Sequence, residues 1–356
     1  MAKLRVGIAF GGRSVEHEVS VQSAASIAAA LDPSRYEISL LAIDPEGGWH
    51  LAPGQAPTGQ ALDGPAVALG LAPDEGRVRN RESGGIERQL DVIFPIVHGT
   101  GGEDGCLQGA LELADVPYVG SGVLGSALQM DKDVAKRLLR AEGLPVLPWF
   151  TVSDPADGDI AERARALGYP CFVKPASLGS SVGTHRVDDE SELNAAIRDA
   201  RRFDDKVMVE RAVDAREIEV AVLGNREPEA SVPGEIVPSG EFYDYESKYV
   251  DEGTELIVPA VLPEGIGAEL RALALRAFSV LEGAGLARVD FFLDKATDEL
   301  WINELNSLPG FTDVSMYPRL WQASGLPYPA LLDRLIELAL ARHRERGQLE
   351  RLYRRG

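Results

Sequence analysis

Short apolar runs alternate along this chain with segments of helical periodicity, and this alternation constrains the fold more than any other feature. The first run ends in Val6-Gly7-Ile8-Ala9-Phe10 and stops at Gly11-Gly12, before a helical pattern of small residues from Ser20 to Leu31. Apolar runs bounded by turn residues predict buried strands, and strands that alternate with helices predict an α/β protein. Further strands are expected at 36–43, 91–97, 170–174, 206–210, 217–223, 287–293 and 300–305.

The chain of 356 residues is long enough for two or three folding units of roughly 100–200 residues each. Residues 45–90 are rich in Gly, Pro and Ala with little periodicity, so we expect a peripheral excursion there, with a hairpin near Trp49. The boundaries that we predict give the units 1–120, 121–210 and 211–356.

The charge of the chain excludes some classes of partner. Lys and Arg number 36 against 56 Asp and Glu, which gives a net charge of −20. Such a field repels nucleic acid and anionic membranes, so neither is expected as a partner. The two cysteines, Cys106 and Cys171, are too few and too far apart for a disulfide framework, which favours a reducing compartment. No apolar run approaches the roughly 20 residues of a membrane span, so we expect a soluble, cytoplasmic protein.

Two glycine-rich turns follow strands in the N-terminal third. The turn after residue 10 lacks the GxGxxG spacing of a dinucleotide site and carries Glu16 and Glu18. Carboxylates bind an ammonium group better than a pyrophosphate, so this turn disfavours a nicotinamide-dependent dehydrogenase. The alternative interpretation is a plain tight turn with solvated acids. The second turn, 98–105, has four glycines that allow a backbone to approach a ligand closely. Its single histidine, His98, could equally be structural.

A third segment is typical of phosphate binding. Lys174 ends a strand and a Gly/Ser loop follows as far as Gly183, which would supply a point charge, hydroxyls and free N–H groups. The spacing is not that of a P-loop, and a surface hairpin remains the alternative. The chain has only 7 lysines against 29 arginines, and three of the lysines, Lys132, Lys174 and Lys248, lie in polar segments that are candidates for function. Lys248 belongs to a tyrosine-rich stretch, 241–249, that could form a lid or equally be an ordinary surface loop.

Two neighbouring strands near the C-terminus carry the strongest chemical signal. Arg288 and Asp290 are two residues apart, as are Glu304 and Asn306, so each pair shares one face of its strand. Two carboxylates and an amide oxygen are a ligand set that suits Mg²⁺, and Arg288 could stabilise a developing oxyanion. An exposed charged face of a strand pair is the alternative.

Together these segments resemble the D-alanine–D-alanine ligases of the ATP-grasp superfamily. The matching runs occur in family order from residue 4 to about 330, and residues 45–90 are the least diagnostic part. They are GGRSVEHEVS (11–20), HGTGGEDGCLQGALE (98–112), PYVGSGVLGSALQMDK (117–132), VKPASLGSSVG (173–183), FYDYESKY (242–249), LARVDFFLD (286–294) and INELNSLPGFTDVSMYP (302–318).

The resemblance implies a three-domain ATP-grasp architecture whose N-terminal domain has an open parallel sheet, with a lid at about 238–256. It also implies ATP-dependent ligation of two D-alanines through a D-alanyl phosphate, with ATP as co-substrate, two Mg²⁺ (or Mn²⁺) ions and a homodimeric enzyme of peptidoglycan synthesis. A carboxylate needs such activation because oxide is a poor leaving group, and the intermediate must be protected from water.

The resemblance further implies roles for the matching residues at the substrate end of the site. Glu16 would hold the ammonium of the first D-alanine. The other residues implied there are Ser180 and Tyr249 in a network with Glu16, Val19 and Ser20 in the pocket wall, His98 near the first substrate, Arg288 and the Gly310 N–H at the oxyanion, and Ser315 and Lys248 at the carboxylate of the second substrate.

At the nucleotide end, the resemblance implies that Lys132 and Lys174 contact phosphates. The others implied there are Ser181 in the loop over the nucleotide, Glu210 with the backbone of Arg211, Ala212 and Val213 at the adenine, Glu217 at the ribose, and Asp290, Glu304 and Asn306 as metal ligands.

Other functions remain open at this point. A D-alanine–D-lactate ligase differs in the acceptor alone, and Lys248 with Tyr249 favours the dipeptide-forming members. Another ATP-grasp amino-acid ligase is a further alternative. A nucleotide-binding module without catalysis would lack a metal ligand or Arg288, and all of these residues are present.

Overall fold

The computed structural model describes residues 2–54, 62–70, 73, 76–154, 158–238 and 254–350. Within these ranges the chain forms three β-sheets and nine α-helices. None of the described helices is both long and apolar enough to cross a membrane.

The N-terminal sheet has seven strands in the order β6-β5-β4-β3-β2-β1-β7. Only its core of β2, β1 and β7 is parallel, because these strands are connected through helical or long segments. The remaining four strands form an antiparallel meander. The elements are β1 (Leu4–Gly11), α1 (His17–Ala30), β2 (Tyr36–Ile43), β3 (Trp49–Leu51), β4 (Ala66–Leu69), β5 (Arg77–Asn80), β6 (Ile86–Gln89), β7 (Val92–Pro95) and α2 (Cys106–Leu113).

The segment 45–90 therefore extends the sheet instead of forming a separate excursion. β3 pairs with β2 through Ile43 and Trp49, which is the hairpin expected near Trp49. The segment still lies at the edge of the sheet, since β6 is its last strand.

The central sheet is antiparallel, with the order β10-β9-β11-β8. Two helices cover one face and form a core with it. The elements are β8 (Trp149–Val152), α5 (Ile160–Leu167), β9 (Cys171–Pro175), β10 (His185–Val187), α6 (Glu190–Ala200) and β11 (Val207–Arg211).

The third sheet is also antiparallel and has the order β15-β14-β12-β16-β17, with β13 paired to β12. The strands are β12 (Ala215–Gly224), β13 (Glu229–Ala230), β14 (Gly234–Val237), β15 (Glu255–Ile257), β16 (Gly285–Asp294) and β17 (Leu300–Asn306). The remaining helices are α3 (Val123–Met130), α4 (Lys132–Ala141), α7 (Ile266–Val280), α8 (Met316–Ala323) and α9 (Tyr328–Gly347).

Hydrophobic packing divides the chain differently from the boundaries expected at 120 and 210. Helix α4 packs through Ala135 and Leu139 in one core with the third sheet and α7, although it precedes the central sheet in sequence. Helix α9 returns to the N-terminal sheet, where Leu331 and Leu335 share a core with Phe10. The units are thus interleaved, and the polar loops at the strand ends meet between them.

Candidate active site

A cleft of about 380 Å³ lies where the three sheets meet. Its walls come from α1, the turn after β7, the loop after β9, strands β12, β16 and β17, and the loop that leads into α8. The lining residues include Glu16, Val19, His98, Glu103, Lys132, Ser180, Glu219, Arg288, Glu304, Asn306, Gly310 and Ser315.

Glu16 lies at the N-terminus of α1, which begins at His17, three residues before the predicted start. The positive end of the helix dipole favours a carboxylate at this position. An added Cβ at Gly99 or Gly179 would lie 2.6 or 2.9 Å from Glu16 Oε2, so both glycines are required for the close approach. The Ser180 hydroxyl donates to Oε1, while Oε2 is buried and accepts no hydrogen bond in the described part of the chain.

The loop that carries Ser180 has an unusual backbone. Ser180 and Ser181 adopt left-handed φ values of 53° and 57°, which non-glycine residues rarely do. Such conformations persist where the surroundings enforce them and occur often at ligand sites. The loop thereby brings Ser180 from the central unit against Glu16 of the N-terminal unit.

His98 is buried and connects two loops. Its Nδ1 lies 2.9 Å from the Leu308 carbonyl, so Nδ1 carries the proton and donates. Nε2 then accepts from the Ser23 hydroxyl at 3.1 Å, and Ser23 Oγ accepts from the Phe311 N–H. Burial lowers the pKa of His98, and Glu16 opposes that shift only in part. A neutral His98 therefore fixes the loop after β17 against α1.

Glu103 makes a second connection between the same loops. Its carboxylate accepts from the Gly99 N–H at 2.7 Å and from the Leu308 N–H at 2.9 Å, with the Ser307 hydroxyl at 3.3 Å. Burial, together with the neighbouring Glu16, raises the pKa of Glu103 to about 8. Two acids therefore share this corner of the cleft.

Three lysines and two glutamates form a lysine cluster beside the cleft. Lys132 Nζ lies 3.2 Å from Glu304 and donates to the Leu178 carbonyl. Lys174 Nζ lies 2.6 Å from Glu210 Oε2, and Lys136 Nζ forms a close ion pair with Glu210 Oε1. The cluster thus consists of Lys132, Lys136, Lys174, Glu210 and Glu304.

The pKa values in the cluster reflect two opposing effects, burial and the charges of neighbouring groups. Burial lowers the pKa of Lys136, although Glu210 opposes the shift. Burial also acts to lower the pKa of Lys174, but Glu210 and Glu304 outweigh it and the net shift is upward. Glu210 has a lowered pKa because its two lysines outweigh its burial. The surrounding charges therefore favour the ionised forms of Glu210 and Lys174, whereas burial acts against the charge of Lys136.

The other residues expected at the adenine and ribose follow Glu210 along the chain. The Arg211 N–H donates to the Pro148 carbonyl and the Ala212 N–H to the Pro170 carbonyl. Among the described residues, the Val213 N–H donates to no backbone carbonyl. Arg211 is exposed and Glu217 half-buried.

Three acids lie in one row across the third sheet. Glu219 on β12 pairs with Asp290 on β16, and Asp290 pairs with Glu304 on β17. Arg288 donates to both oxygens of Asp290 at 2.7 and 2.6 Å, and its Nε lies 3.1 Å from Glu219. The Asn306 amide also donates to Asp290, at 2.9 Å.

The donor set of this row fits a divalent cation. Among the described residues, no three His, Cys, Asp or Glu side chains converge to hold a metal, so such a site depends on the Asn306 amide oxygen together with Asp290 and Glu304. That all-oxygen set is what Mg²⁺ prefers. Asn306 donates through its nitrogen, which leaves its carbonyl oxygen as an acceptor.

The loop after β17 forms another part of the cleft wall. Ser315 precedes α8 at its N-terminus, and its hydroxyl accepts from the Thr312 N–H at 3.1 Å. An added Cβ at Gly310 would lie 3.4 Å from this hydroxyl, so Gly310 and Ser315 are adjacent. A helix N-terminus with a hydroxyl beside it and Arg288 across the cleft favours a bound anion.

Not every described residue that the sequence assigned to the site lines the cleft. Those that do not are Ser20, Lys174, Ser181, Glu210, Arg211, Ala212, Val213, Glu217 and Asp290. Ser20 is fully buried behind the cleft wall, where its hydroxyl accepts from the Gly11 N–H at 2.7 Å and donates to the Ile96 carbonyl at 2.5 Å. It therefore positions the start of α1, whereas its neighbour Val19 lines the cleft. Lys248 and Tyr249 lie outside the described residues.

Sequence reasoning missed Lys136, Glu103, Glu219 and Ser23. One signal was available for Lys136: it follows Lys132 by four residues on an amphipathic helix and is one of only 7 lysines. Glu219 stands two residues after Glu217 on the same strand. Ser23 and Glu103 depend on partners hundreds of positions away, which no local pattern indicates.

Three sheets around one cleft, with a lysine cluster beside it and an acid row on adjacent strands, define a protein of the ATP-grasp class, the fold of its structural neighbours. Family models described as "D-ala D-ala ligase N-terminus" and "D-ala D-ala ligase C-terminus" match residues 5–121 and 138–337. The chain belongs to the D-alanine–D-alanine ligase family.

Individual relatives agree with this assignment. The chain is 50% identical to D-alanine–D-alanine ligase A of Salmonella typhimurium, over 98% of this chain and 99% of the relative. It is 51% identical to the enzyme of the same name from Chromobacterium violaceum, over 98% of each. The D-alanine–D-alanine ligase structure from Coxiella burnetii superimposes with a TM-score of 0.86 at 40% identity, covering 98% of this chain and 97% of that one. The D-Ala:D-Ser ligase VanG of Enterococcus faecalis superimposes with a TM-score of 0.85 at 32% identity, covering 95% and 100%.

Proposed function

We propose that the chain joins two D-alanines into D-alanyl-D-alanine for peptidoglycan synthesis, with ATP as the source of energy and a D-alanyl phosphate as intermediate. The observation that carries the proposal is one cleft lined both by a carboxylate suited to an ammonium group and by donors suited to an anion. Among the described residues, Glu16 Oε2 is buried and accepts no hydrogen bond, and Arg288, Gly310 and Ser315 line the same cleft.

The first D-alanine binds with its ammonium group on Glu16 Oε2. Oε1 accepts from the Ser180 hydroxyl, whereas Oε2 accepts no hydrogen bond from the described residues. A buried carboxylate without a cation is costly, which favours an ammonium ligand. Val19 lines the same part of the cleft, and Tyr249 is proposed to complete the network.

ATP binds beside the lysine cluster. Lys132 and Lys174 are proposed to contact its phosphates, with Ser181 in the loop over the nucleotide. Lys132 lines the cleft. The adenine is proposed to contact Glu210 and the backbone of 211–213, in which the Val213 N–H donates to no backbone carbonyl of the described residues, and Glu217 is assigned to the ribose.

The reaction has two displacement steps. A carboxylate oxygen of the first D-alanine attacks the γ-phosphorus; an O–P bond forms, the bond to the β,γ-bridging oxygen breaks, and ADP leaves with that electron pair. The uncharged amine of the second D-alanine then attacks the acyl carbon. A C–N bond forms, the C–O bond to phosphate breaks, and inorganic phosphate leaves while the nitrogen loses its proton.

Arg288 and the Gly310 N–H would stabilise the negative charge on the carbonyl oxygen during the second step, because fixed donors act strongly in a site that excludes water. Ser315 and Lys248 are proposed to hold the carboxylate of the second substrate. His98 and Glu103 keep the Gly310 loop in place through their bonds to Leu308.

Divalent metal ions, Mg²⁺ or Mn²⁺, would be held by Asp290, Glu304 and Asn306, where they would neutralise phosphate charge. Arg288 now donates to both oxygens of Asp290, so its guanidinium is the cation that balances this carboxylate in the structure. We further propose a cytoplasmic homodimer.

Product analysis tests the proposal. The purified chain is incubated with Mg-ATP and D-alanine, L-alanine, D-lactate, D-serine or mixtures, and phosphate release and product mass are measured. We expect phosphate release coupled to D-alanyl-D-alanine, and none with L-alanine alone. A depsipeptide or a D-alanyl-D-serine product in preference to the dipeptide would overturn the proposed acceptor, and no turnover with any of them would overturn the reaction.

A further inference from the structure

We propose that Lys136 is a positioning residue, a buried counter-ion that keeps Glu210 neutralised so that Lys174 can leave Glu210 and contact a nucleotide phosphate. The proposal rests on the proposed use of ATP. It assigns a task to a lysine that touches neither the cleft nor any group proposed to react.

Burial separates the two lysines that share Glu210. The Lys136 side chain is 1% exposed and that of Glu210 is 2% exposed, whereas the Lys174 side chain is 12% exposed. Lys136 also lies against the Trp149 ring, 5.9 Å from its centroid, and that indole donates to Asp133 at 2.9 Å. Lys136 is therefore enclosed, and Lys174 is the lysine that can reach a ligand.

Each carboxylate oxygen of Glu210 pairs with a different lysine. Lys136 is paired with Oε1 and Lys174 with Oε2, the latter at 2.6 Å. If Glu210 had Lys174 alone, a phosphate could gain that lysine only by leaving a buried carboxylate without a cation, which is strongly unfavourable. With Lys136 in place, the carboxylate keeps one cation after Lys174 moves.

The charge of the whole lysine cluster also supports the movement of Lys174 from Glu210 to a phosphate. Three lysines face two glutamates, and Lys132 is paired with Glu304, so one positive charge is in excess before any ligand binds. Lys174 also lies 3.5 Å from the Asn303 amide oxygen, a second partner on the strand that borders the cleft. The partly exposed Lys174 thus has a partner besides Glu210 on this strand.

Titrations of purified full-length protein with adenosine, ADP and ATP test the assignment. In Lys136→Met, Lys174 is retained by Glu210, so we expect the Kd of ATP and ADP to rise about 10-fold or more, the loss of one charge-assisted hydrogen bond, while the Kd of adenosine changes less than about 3-fold. Arg5→Met is the control: Arg5 is a partly exposed cation that pairs with Asp91 on the N-terminal sheet, apart from the cluster, and its loss should leave all three affinities unchanged.

A second variant separates positioning from a structural role and does not depend on the stability of the first. Lys136→Met combined with Glu210→Gln removes both buried charges, which proteins tolerate far better than one alone. This double variant should bind ATP within about 3-fold of Glu210→Gln, because no carboxylate then competes for Lys174.

The outcomes are decisive for Lys136. Equal losses for adenosine and ATP in the single variant, no loss at all, or an ATP affinity of the double variant far below that of Glu210→Gln would overturn the proposal. Failure of the unmodified protein to bind ATP would instead overturn the proposed function, since that measurement does not involve Lys136.

Discussion

Asp290 on β16 lies directly opposite Glu304 on β17, because one extra residue, Asn303, interrupts the ladder at this point. Beyond the interruption, Phe291 pairs with Ile302 and Phe292 with Trp301. An uninterrupted register would place Asn303 opposite Asp290 and turn Glu304 toward the buried face. The bulge therefore puts the second carboxylate on the cleft side, a use of bulges that is common near active sites.

Removal of either carboxylate should abolish activity without unfolding the chain. For Asp290→Ala or Glu304→Ala we expect kcat to fall by about 100-fold or more, because the acid row then lacks a ligand for the cation and a partner for Arg288 or Lys132. Steady-state phosphate release and thermal unfolding measure the two properties. Glu229→Ala, an exposed acid on β13 of the same sheet, is the control, and wild-type turnover in either site variant would remove the metal assignment.

The charge of Glu16 should strengthen the binding of D-alanine and have little effect on the binding of ATP. In Glu16→Gln the ammonium loses its buried partner, and we expect the KM for the first D-alanine to rise by about 30-fold or more, since such a partner contributes about 2–5 kcal/mol. The Kd of ATP should stay the same. Glu18→Gln, an exposed acid two residues further along α1, should change neither value. Equal effects of the two substitutions would refute the ammonium site.

Alanine substitutions at two glycines of one turn distinguish the effect of backbone strain from the effect of contact with Glu16. Gly99 and Gly101 have φ values of 74° and 82°, so alanine at either costs about 1–2 kcal/mol in stability. Only at Gly99 would the new Cβ meet Glu16 Oε2, at 2.6 Å with Ser14 Oγ at the same distance, whereas the space at Gly101 is open. We expect Gly99→Ala to lose most D-alanine-dependent turnover and Gly101→Ala to retain it, as measured by kinetics beside chemical denaturation. Similar turnover in both would show that the close approach to Glu16 is unimportant.

Glu103 should make the protein less stable as pH rises. Its pKa is about 8 in the folded chain against an ordinary value of 4.5, so between these values the folded state binds the proton that the unfolded state has lost. The free energy of unfolding must therefore fall as pH rises through this window and level off above it. Glu16 faces the same corner and contributes to the raised pKa of Glu103, and its charge also acts on His98.

Denaturation of Glu103→Gln between pH 4.5 and 8.5 measures this contribution. Relative to the variant, the unmodified chain should lose on the order of 2–4 kcal/mol across the window. Glu82→Gln, an exposed acid of the N-terminal unit, should follow the unmodified chain at every pH. Parallel curves for the unmodified chain and Glu103→Gln would contradict the assignment to Glu103.

Local patterns predicted the longer strands and the face shared by some of the polar side chains. Period-two spacing predicted that Arg288 and Asp290 share a face, and the structure has them hydrogen-bonded. The loop after Lys174 was expected from its Gly and Ser content, and a hairpin was expected near Trp49, where β3 pairs with β2. The α/β class is confirmed, because alternating strands and helices are short-range features with fixed periods.

Tertiary structure decided which residues meet. Glu16 and Ser180 are 164 positions apart, and His98 and the Leu308 carbonyl 210 apart, so no spacing along the chain indicates either contact. The return of α9 to the N-terminal sheet, the bulge at Asn303 and the burial of Lys136 against Glu210 are of the same kind. Periodicity determines which face of an element is apolar, whereas the partner of a buried charge is determined by the packing of elements from distant parts of the chain.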